Sequence, residues 1–409
     1  MGTVPGRDDD TAGRPGGALR EVLDRRIAVL DGAWGTMLQS AGLGPADYRD
    51  AALADHPRDL TGDPDLLNLT RPDVVLDVHR RYLAARTRAE QERLREEHAG
   101  KQRRPLLSLA RARANAERVS FADLPTPEFK GLRTVRPELS ELRELIDWQF
   151  LFLAWDLRDK YPKILEDPVA RELFDDANAL LDRIVADGSL RAAGVLGFWP
   201  ARADGDDLVL GVDAGDLRLP LLRQQTVKPE GRANRCLSDY LAPAGDHLGG
   251  FAVAVHGAEE LAARYEAEQD DYGAIMVKAL ADRLAEAFAE HVHLLARRAW
   301  FEPDADPDVR DLHAERFRGI RPAFGYPALP DHAHKRALFD LLDAGRLGMG
   351  LTESFAMTPA ASVNGLVFGN PAARYFTVGR IGRDQLADYA ERCGITLDQA
   401  ERRLRPNLG

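Results

Sequence analysis

The sequence predicts an α+β protein built on an antiparallel sheet with helices packed around it. Three observations carry that expectation. Short apolar runs are joined by hairpin-type turns, at Asp204-Gly205-Asp206 and across Gly369-Asn370-Pro371. Helical patterns come in separate blocks instead of alternating with single strands, which argues against a doubly wound parallel sheet. A different character, strand–turn–helix, is confined to the first 85 residues.

Taken in order, the first 18 residues lack a hydrophobic signal core and read as a disordered tail. Residues 19–85 then form a separate segment. Arg26 to Leu30 is a short apolar strand, followed by the glycine-bearing turn Asp31-Gly32-Ala33-Trp34-Gly35-Thr36. Leu66 to Thr70 reads as a second short strand, and Pro72 opens a helix whose apolar stripe holds Val74, Val75, Val78, Tyr82 and Leu83. Residues 86–130 are charged, with a basic stretch at Lys101, Arg103, Arg104, Arg111, Arg113 and Arg118. A nucleic-acid arm would interleave aromatics with these bases; few are present, so the stretch reads as a solvated linker.

Residues 131–409 form one domain. Helical patterns cover Leu139–Asp156 and Asp167–Asp187. Strands are expected at Gly194–Pro200, Leu208–Val212 and Phe251–His256. Helices follow at Glu259–Glu268 and Tyr272–Trp300, then a hairpin of Ser362–Phe368 with Arg374–Val378, and a helix over Gly382–Cys393.

Bulk composition narrows the function. Acids outnumber bases, 66 to 55, for a formal net charge of -11, the opposite of a nucleic-acid binder's basic footprint. Cys236 and Cys393 are the chain's two cysteines, which excludes a disulfide framework and a cysteine-built zinc site and suits a reducing cytoplasm. No apolar run approaches the length of a membrane span.

Three features could carry chemistry. The string Arg321-Pro322-Ala323-Phe324-Gly325-Tyr326-Pro327 fixes a rigid, non-repetitive path with an arginine at its mouth, suited to gripping a carboxylate through parallel N–H bonds. An ordinary proline-rich connection is an equally good reading of the spacing. On the long helix, Asp282 and Glu286 stand four residues apart on one face; they form either a solvated face or an acidic lining for a cationic ligand. Asp147, inside Ile146-Asp147-Trp148, is a lone acid in an apolar context, and such an acid is often a cap or a satisfied core carboxylate. The pairs His291/His293 and His332/His334 are poor metal ligands, having no cysteine beside them.

The strings IDW, KYPKILEDP, LRQQT, DDYGAIMVKALADRLAEAFAE, GIRPAFGYP, LTESFAMTPAAS and RYFTVGRIGRDQ, in this order across residues 131–409, resemble the activation domain of cobalamin-dependent methionine synthase. The family fold is a curved antiparallel sheet flanked by helices. The resemblance implies an S-adenosylmethionine site at Asp147, Arg321, Tyr375 and Phe376, with Ala323, Gly325 and Tyr326 shaping the loop. Asp282, Glu286 and Glu315 would supply negative potential. RIAVLDGAWGTMLQ and DLTGDPDLLNLTRPDVVLDVHRRYLAA are similar to the start of the same enzyme's homocysteine-binding barrel, which stops near Ala85 where a full barrel needs ~250 residues. The rest of that barrel, the methyltetrahydrofolate barrel and the cobalamin module have no counterpart, and no DxHxxG string is present. The implied role is presenting S-adenosylmethionine to cobalamin on a separate domain, with a flavodoxin-like electron donor. A non-catalytic remnant, or an independent methyltransferase on another substrate, are the other readings. The usual strand–GxGxG–helix methyltransferase fingerprint is missing: Gly345 to Gly350 follows a helix with the wrong spacing.

Overall fold

The computed structural model describes residues 43–49, 66–82, 93, 105–213, 215–314 and 316–408. The chain divides into two compact units, Met1–Arg103 and Arg104–Gly409.

In the first unit, the predicted strand Arg26–Leu30 and its turn lie outside the described residues. The predicted strand at Leu66–Thr70 is instead a helical turn, Leu67–Thr70, leading directly into a helix over Pro72–Tyr82. A five-residue apolar run does not distinguish strand from buried helix. Here Thr70 Oγ1 donates to Leu66 O (3.2 Å), and Arg71 fastens the junction by donating to both oxygens of Asp73 (2.9 and 2.7 Å) and to Asp47. The Arg71 guanidinium holds Asp73 down at about 2. Leu67, Val75 and Val78 form a small core with Leu43, Tyr48 and Val74 packed against it.

The second unit is built on a six-stranded sheet. Its strands are β1 (Gly131–Val135), β2 (Arg191–Asp204), β3 (Asp207–Val212), β4 (Gly215–Pro220), β5 (Asp246–His256) and β8 (Ser362–Val367). The order is β4-β3-β2-β5-β8, with β1 also on β2, and every pairing is antiparallel. A separate two-stranded ribbon joins β6 (Gly350–Leu351) to β7 (Met357–Thr358). The hairpin predicted around Asp204-Gly205-Asp206 is present, with Asp204 opposite Asp207.

Both faces of the sheet are covered, which is why β2 and β5 are apolar on alternate and intervening positions alike. Leu196, Phe198, Phe251 and Val253 face a core that includes the Asp271–Trp300 helix. Val195, Trp199, Ala252 and Ala254 face a second core shared with Phe324, Leu338 and Phe339. The helix lies close: a Cβ placed on Gly194 would sit 2.9 Å from the Phe288 ring and 2.7 Å from Val253 Cγ1.

Three expectations require correction. The single helix predicted over Leu139–Asp156 is two, Leu139–Arg143 and Gln149–Ala154, because Asp147 Oδ1 accepts from Gln149 N (3.0 Å) and starts the second afresh. The strand predicted at Arg374–Val378 is irregular backbone, so Ser362–Phe368 has no hairpin partner there. That segment instead straps the Arg321 loop: Val378 N donates to Pro327 O (2.9 Å). Most of the expected linker is part of the second unit, with its own helix at Leu109–Ala114. Arg113 donates to Asp206 (2.7 Å), whose other oxygen binds the buried Arg223 (2.7 Å), and Arg223 also grips Asp239 (2.9 and 2.7 Å). The bases read as solvated thus include one satisfying a buried carboxylate, a long-range pairing that local composition does not reveal. Helices predicted at Asp167–Asp187, Glu259–Glu268, Tyr272–Trp300 and Gly382–Cys393 are present within a residue or two of those limits.

The long helix buries His293, packed edge-on against the Phe317 ring at 5.0 Å between centroids. Burial holds His293 at about 3, far below the ordinary 6.5. The unfolded chain therefore binds a proton that the folded chain does not in that window. Stability should be full above the unfolded value and fall as pH drops from about 6.5, by up to about 1.4 kcal/mol per pH unit. Denaturant unfolding of the wild type and His293→Leu between about pH 7 and pH 5 checks this. The variant should show the shallower dependence; parallel curves would refute the assignment.

Candidate functional site

The Arg321 loop runs beside the sheet's outer edge. Ile320 and Phe368 exchange backbone hydrogen bonds (3.1 and 3.0 Å), and Leu366 N donates to Pro322 O (2.9 Å). Beyond Pro322 the chain turns sharply. Gly325 takes φ +92, its N–H donates to Leu329 O (2.7 Å), and a Cβ on it would come within 2.2 Å of the His332 ring. Only glycine fits both the backbone angle and the space.

The loop's far end is anchored by a buried chain of side chains. Tyr389 donates to Asp331 Oδ2 (2.7 Å), and its hydroxyl lies 2.8 Å from His334 Nε2. Burial, together with the Asp331 charge, raises Tyr389 well above its ordinary value, and burial lowers His334, so both are neutral near pH 7.

Between this loop, the strap and the long helix lies a cleft of about 470 Å³. Six residues singled out in the sequence line it: Glu286, Arg321, Ala323, Tyr326, Tyr375 and Phe376. Pro322, Pro327, Val363 and Thr377 complete much of the wall. The volume falls within the range of small-molecule sites, about 300–1,000 Å³. Clefts of about 620 and 650 Å³ exist elsewhere, but neither contains any predicted site residue.

Arg321 is fixed at both ends. Its backbone N–H donates to the Tyr375 hydroxyl (3.0 Å), and its Nη2 donates to Glu290 on the long helix. Tyr326 is largely exposed at the rim; partial burial and the nearby Glu286 carboxylate raise its hydroxyl above the ordinary value. The cleft therefore combines a guanidinium, a carboxylate and three aromatic rings, with a tyrosine that stays neutral.

The other predicted residues are placed differently. Gly325 shapes the loop from behind and is not in the wall. Asp147 and Asp282 do not line the cleft; Asp282 is exposed, and Asp147 is half-buried at the start of the Gln149–Ala154 helix. Arg283, next to Asp282 on the long helix, lies 5.3 Å from the Phe150 ring centroid, and its charge acts on Tyr326. Glu315 lies outside the described residues. Glu290 was missed, although it follows Glu286 by four residues and extends the acidic series begun at Asp282 by one more turn. Among the described residues no group of three or more metal-ligating side chains occurs.

Residues 138–394, more than half of the chain, match the family described as vitamin B12 dependent methionine synthase, activation domain. The chain belongs to that family. Residues 28–89 match the homocysteine S-methyltransferase family. The chain is also similar to the crystal structure of the MetH reactivation domain bound to AdoHcy, with 43% identity and a TM-score of 0.72, covering 75% of this chain and 99% of that one.

The loop's dependence on Gly325 is testable. Gly325→Ala should destabilise the protein by about 1–3 kcal/mol, since a side chain there meets both a left-handed backbone and the His332 ring. Gly345→Ala, where an added Cβ meets nothing within 4 Å, is the control. Denaturant melts that show equal stability for both variants would contradict the packing described.

Proposed function

We propose that the Arg104–Gly409 unit binds S-adenosylmethionine in the Arg321 cleft and presents it to cobalamin carried on a separate domain. The observation that carries this is the convergence of Arg321, Glu286, Tyr326, Tyr375 and Phe376 on one cleft, in a family whose solved relative holds AdoHcy.

The residues fit the ligand. Arg321 lines the cleft with one corner of its guanidinium held by Glu290, and an α-carboxylate is the natural acceptor for the donors that remain. Glu286 places negative charge where a ligand carries an ammonium and a sulfonium. Tyr326, Tyr375 and Phe376 offer ring faces for an adenine. Asp147 and Asp282 would act on a bound ligand from outside this wall, through their potential, and Glu315 is retained in the proposal as a further acid of the site. When bound, S-adenosylmethionine supplies the activated methyl group; the protein's own residues orient it and hold its carboxylate.

Residues 19–85 are read as a piece of the homocysteine-binding barrel, and no methyl transfer to homocysteine is assigned to this chain. Two further elements belong to the proposal: a flavodoxin-like electron donor as partner, and a cytoplasmic location, in keeping with free thiols at Cys236 and Cys393. No helix among the described residues is long and apolar enough to cross a membrane.

Calorimetric titration with S-adenosylmethionine tests the reading. The wild type should bind saturably, and Arg321→Ala should lose about 2–5 kcal/mol of binding free energy, the usual cost of removing one arm of a desolvated charge pair. A folded wild type without saturable binding would overturn the assignment and favour a non-catalytic remnant.

A further inference from the structure

We propose that Glu290 is a positioning residue for ligand recognition, gripping one corner of the Arg321 guanidinium so that its remaining donors address the ligand carboxylate. The inference rests on the reading of the cleft given above and adds a residue to it.

Glu290 projects from the Asp271–Trp300 helix one turn beyond Glu286. Its Oε1 accepts from Arg321 Nη2, and the two side chains are only 14% and 17% exposed. Buried carboxylate–guanidinium pairs ordinarily satisfy themselves through two parallel bonds. This pair does not. Arg321 Nε and Glu290 Oε2 are both buried and both without a hydrogen-bond partner among the described residues. A pair kept only for stability would be a poor solution in this form, because each orphaned polar atom carries an uncompensated desolvation cost. The one-point contact leaves the pair short of the parallel arrangement and keeps Arg321 in the cleft wall, where a second acceptor can take the donors that Glu290 does not use.

The backbone at Arg321 is already fixed, by the Tyr375 hydroxyl (3.0 Å) and by the neighbouring Leu366–Pro322 bond (2.9 Å). What remains to be set is the direction of the long side chain, and Glu290 is the group that sets it. Without Glu290 the guanidinium has another carboxylate within the same wall, Glu286. A swing to Glu286 would neutralise the acid facing the ligand's positive charge and withdraw the arginine from the carboxylate at once.

The test compares two probes that share a nucleoside and differ in the amino-acid arm. S-adenosylhomocysteine carries the carboxylate; 5′-methylthioadenosine lacks it. Binding of both to the full chain is measured for the wild type, Glu290→Ala and Glu290→Gln. Glu290→Ala should weaken S-adenosylhomocysteine by about tenfold or more while leaving methylthioadenosine within about twofold. Glu290→Gln keeps an acceptor for Arg321 and should lose less. In an Arg321→Ala background the Glu290→Ala change should add nothing, since the two act as one unit. Equal weakening of both probes would mark a merely structural residue and overturn the inference, as would unchanged S-adenosylhomocysteine binding. A wild type that binds neither probe would instead overturn the reading of the cleft itself.

Discussion

The seating of the Asp271–Trp300 helix on the sheet is the constraint on which the rest of the second unit depends. Gly194 lets the helix approach until the Phe288 ring would touch any added Cβ, and Leu280, Leu284 and Val292 bury the same stripe. Each such side chain contributes about 1.5–3 kcal/mol on burial. A helix held this firmly has no freedom to rotate, so the residues on its adjacent face, Glu286 and Glu290, are fixed relative to the sheet edge. The acidic side of the cleft is thus a consequence of core packing on the other side of the helix.

The opposite wall is a loop made rigid without regular structure. It borrows backbone bonds from the end of β8 through Ile320 and Phe368, turns on Gly325, and is strapped by the segment carrying Tyr375 and Phe376. Its exit is tied to the C-terminal helices by the Asp331–Tyr389–His334 chain. Residues far apart in sequence therefore act as one wall. The Arg113–Asp206–Arg223–Asp239 network does the same for the Leu109–Ala114 helix, tying it to the β2–β3 turn and to the Leu237–Tyr240 turn. Such polar networks are fully bonded at their carboxylates, in contrast to the Arg321–Glu290 pair with its two orphaned atoms.

Local chemistry made some of this legible in the sequence and hid the rest. The long helix was readable because Val277, Leu280, Leu284, Phe288 and Val292 repeat at helical spacing. The β2–β3 hairpin was readable because Asp204-Gly205-Asp206 is strong turn chemistry. The Arg321 loop announced itself through two prolines and a glycine, although the family resemblance was needed to single it out from an ordinary connection. Leu66 to Thr70 misled because a short apolar run has no diagnostic period. Arg374 to Val378 misled because alternating residues pack there as a strap without a ladder. Gly215–Pro220 was overlooked as a strand, its Asp216 and Arg218 lacking an apolar signal. Glu290 stayed hidden because its partner comes from a loop 31 residues away, and no periodicity encodes such a meeting.

The most direct test of the account is a crystal structure of the full chain grown with S-adenosylhomocysteine. The account predicts the ligand in the cleft between Tyr326 and Phe376, its carboxylate within hydrogen-bond distance of Arg321, and Glu290 still bonded to the same guanidinium. A ligand seated elsewhere, or one in the cleft with its carboxylate turned away from Arg321, would contradict it.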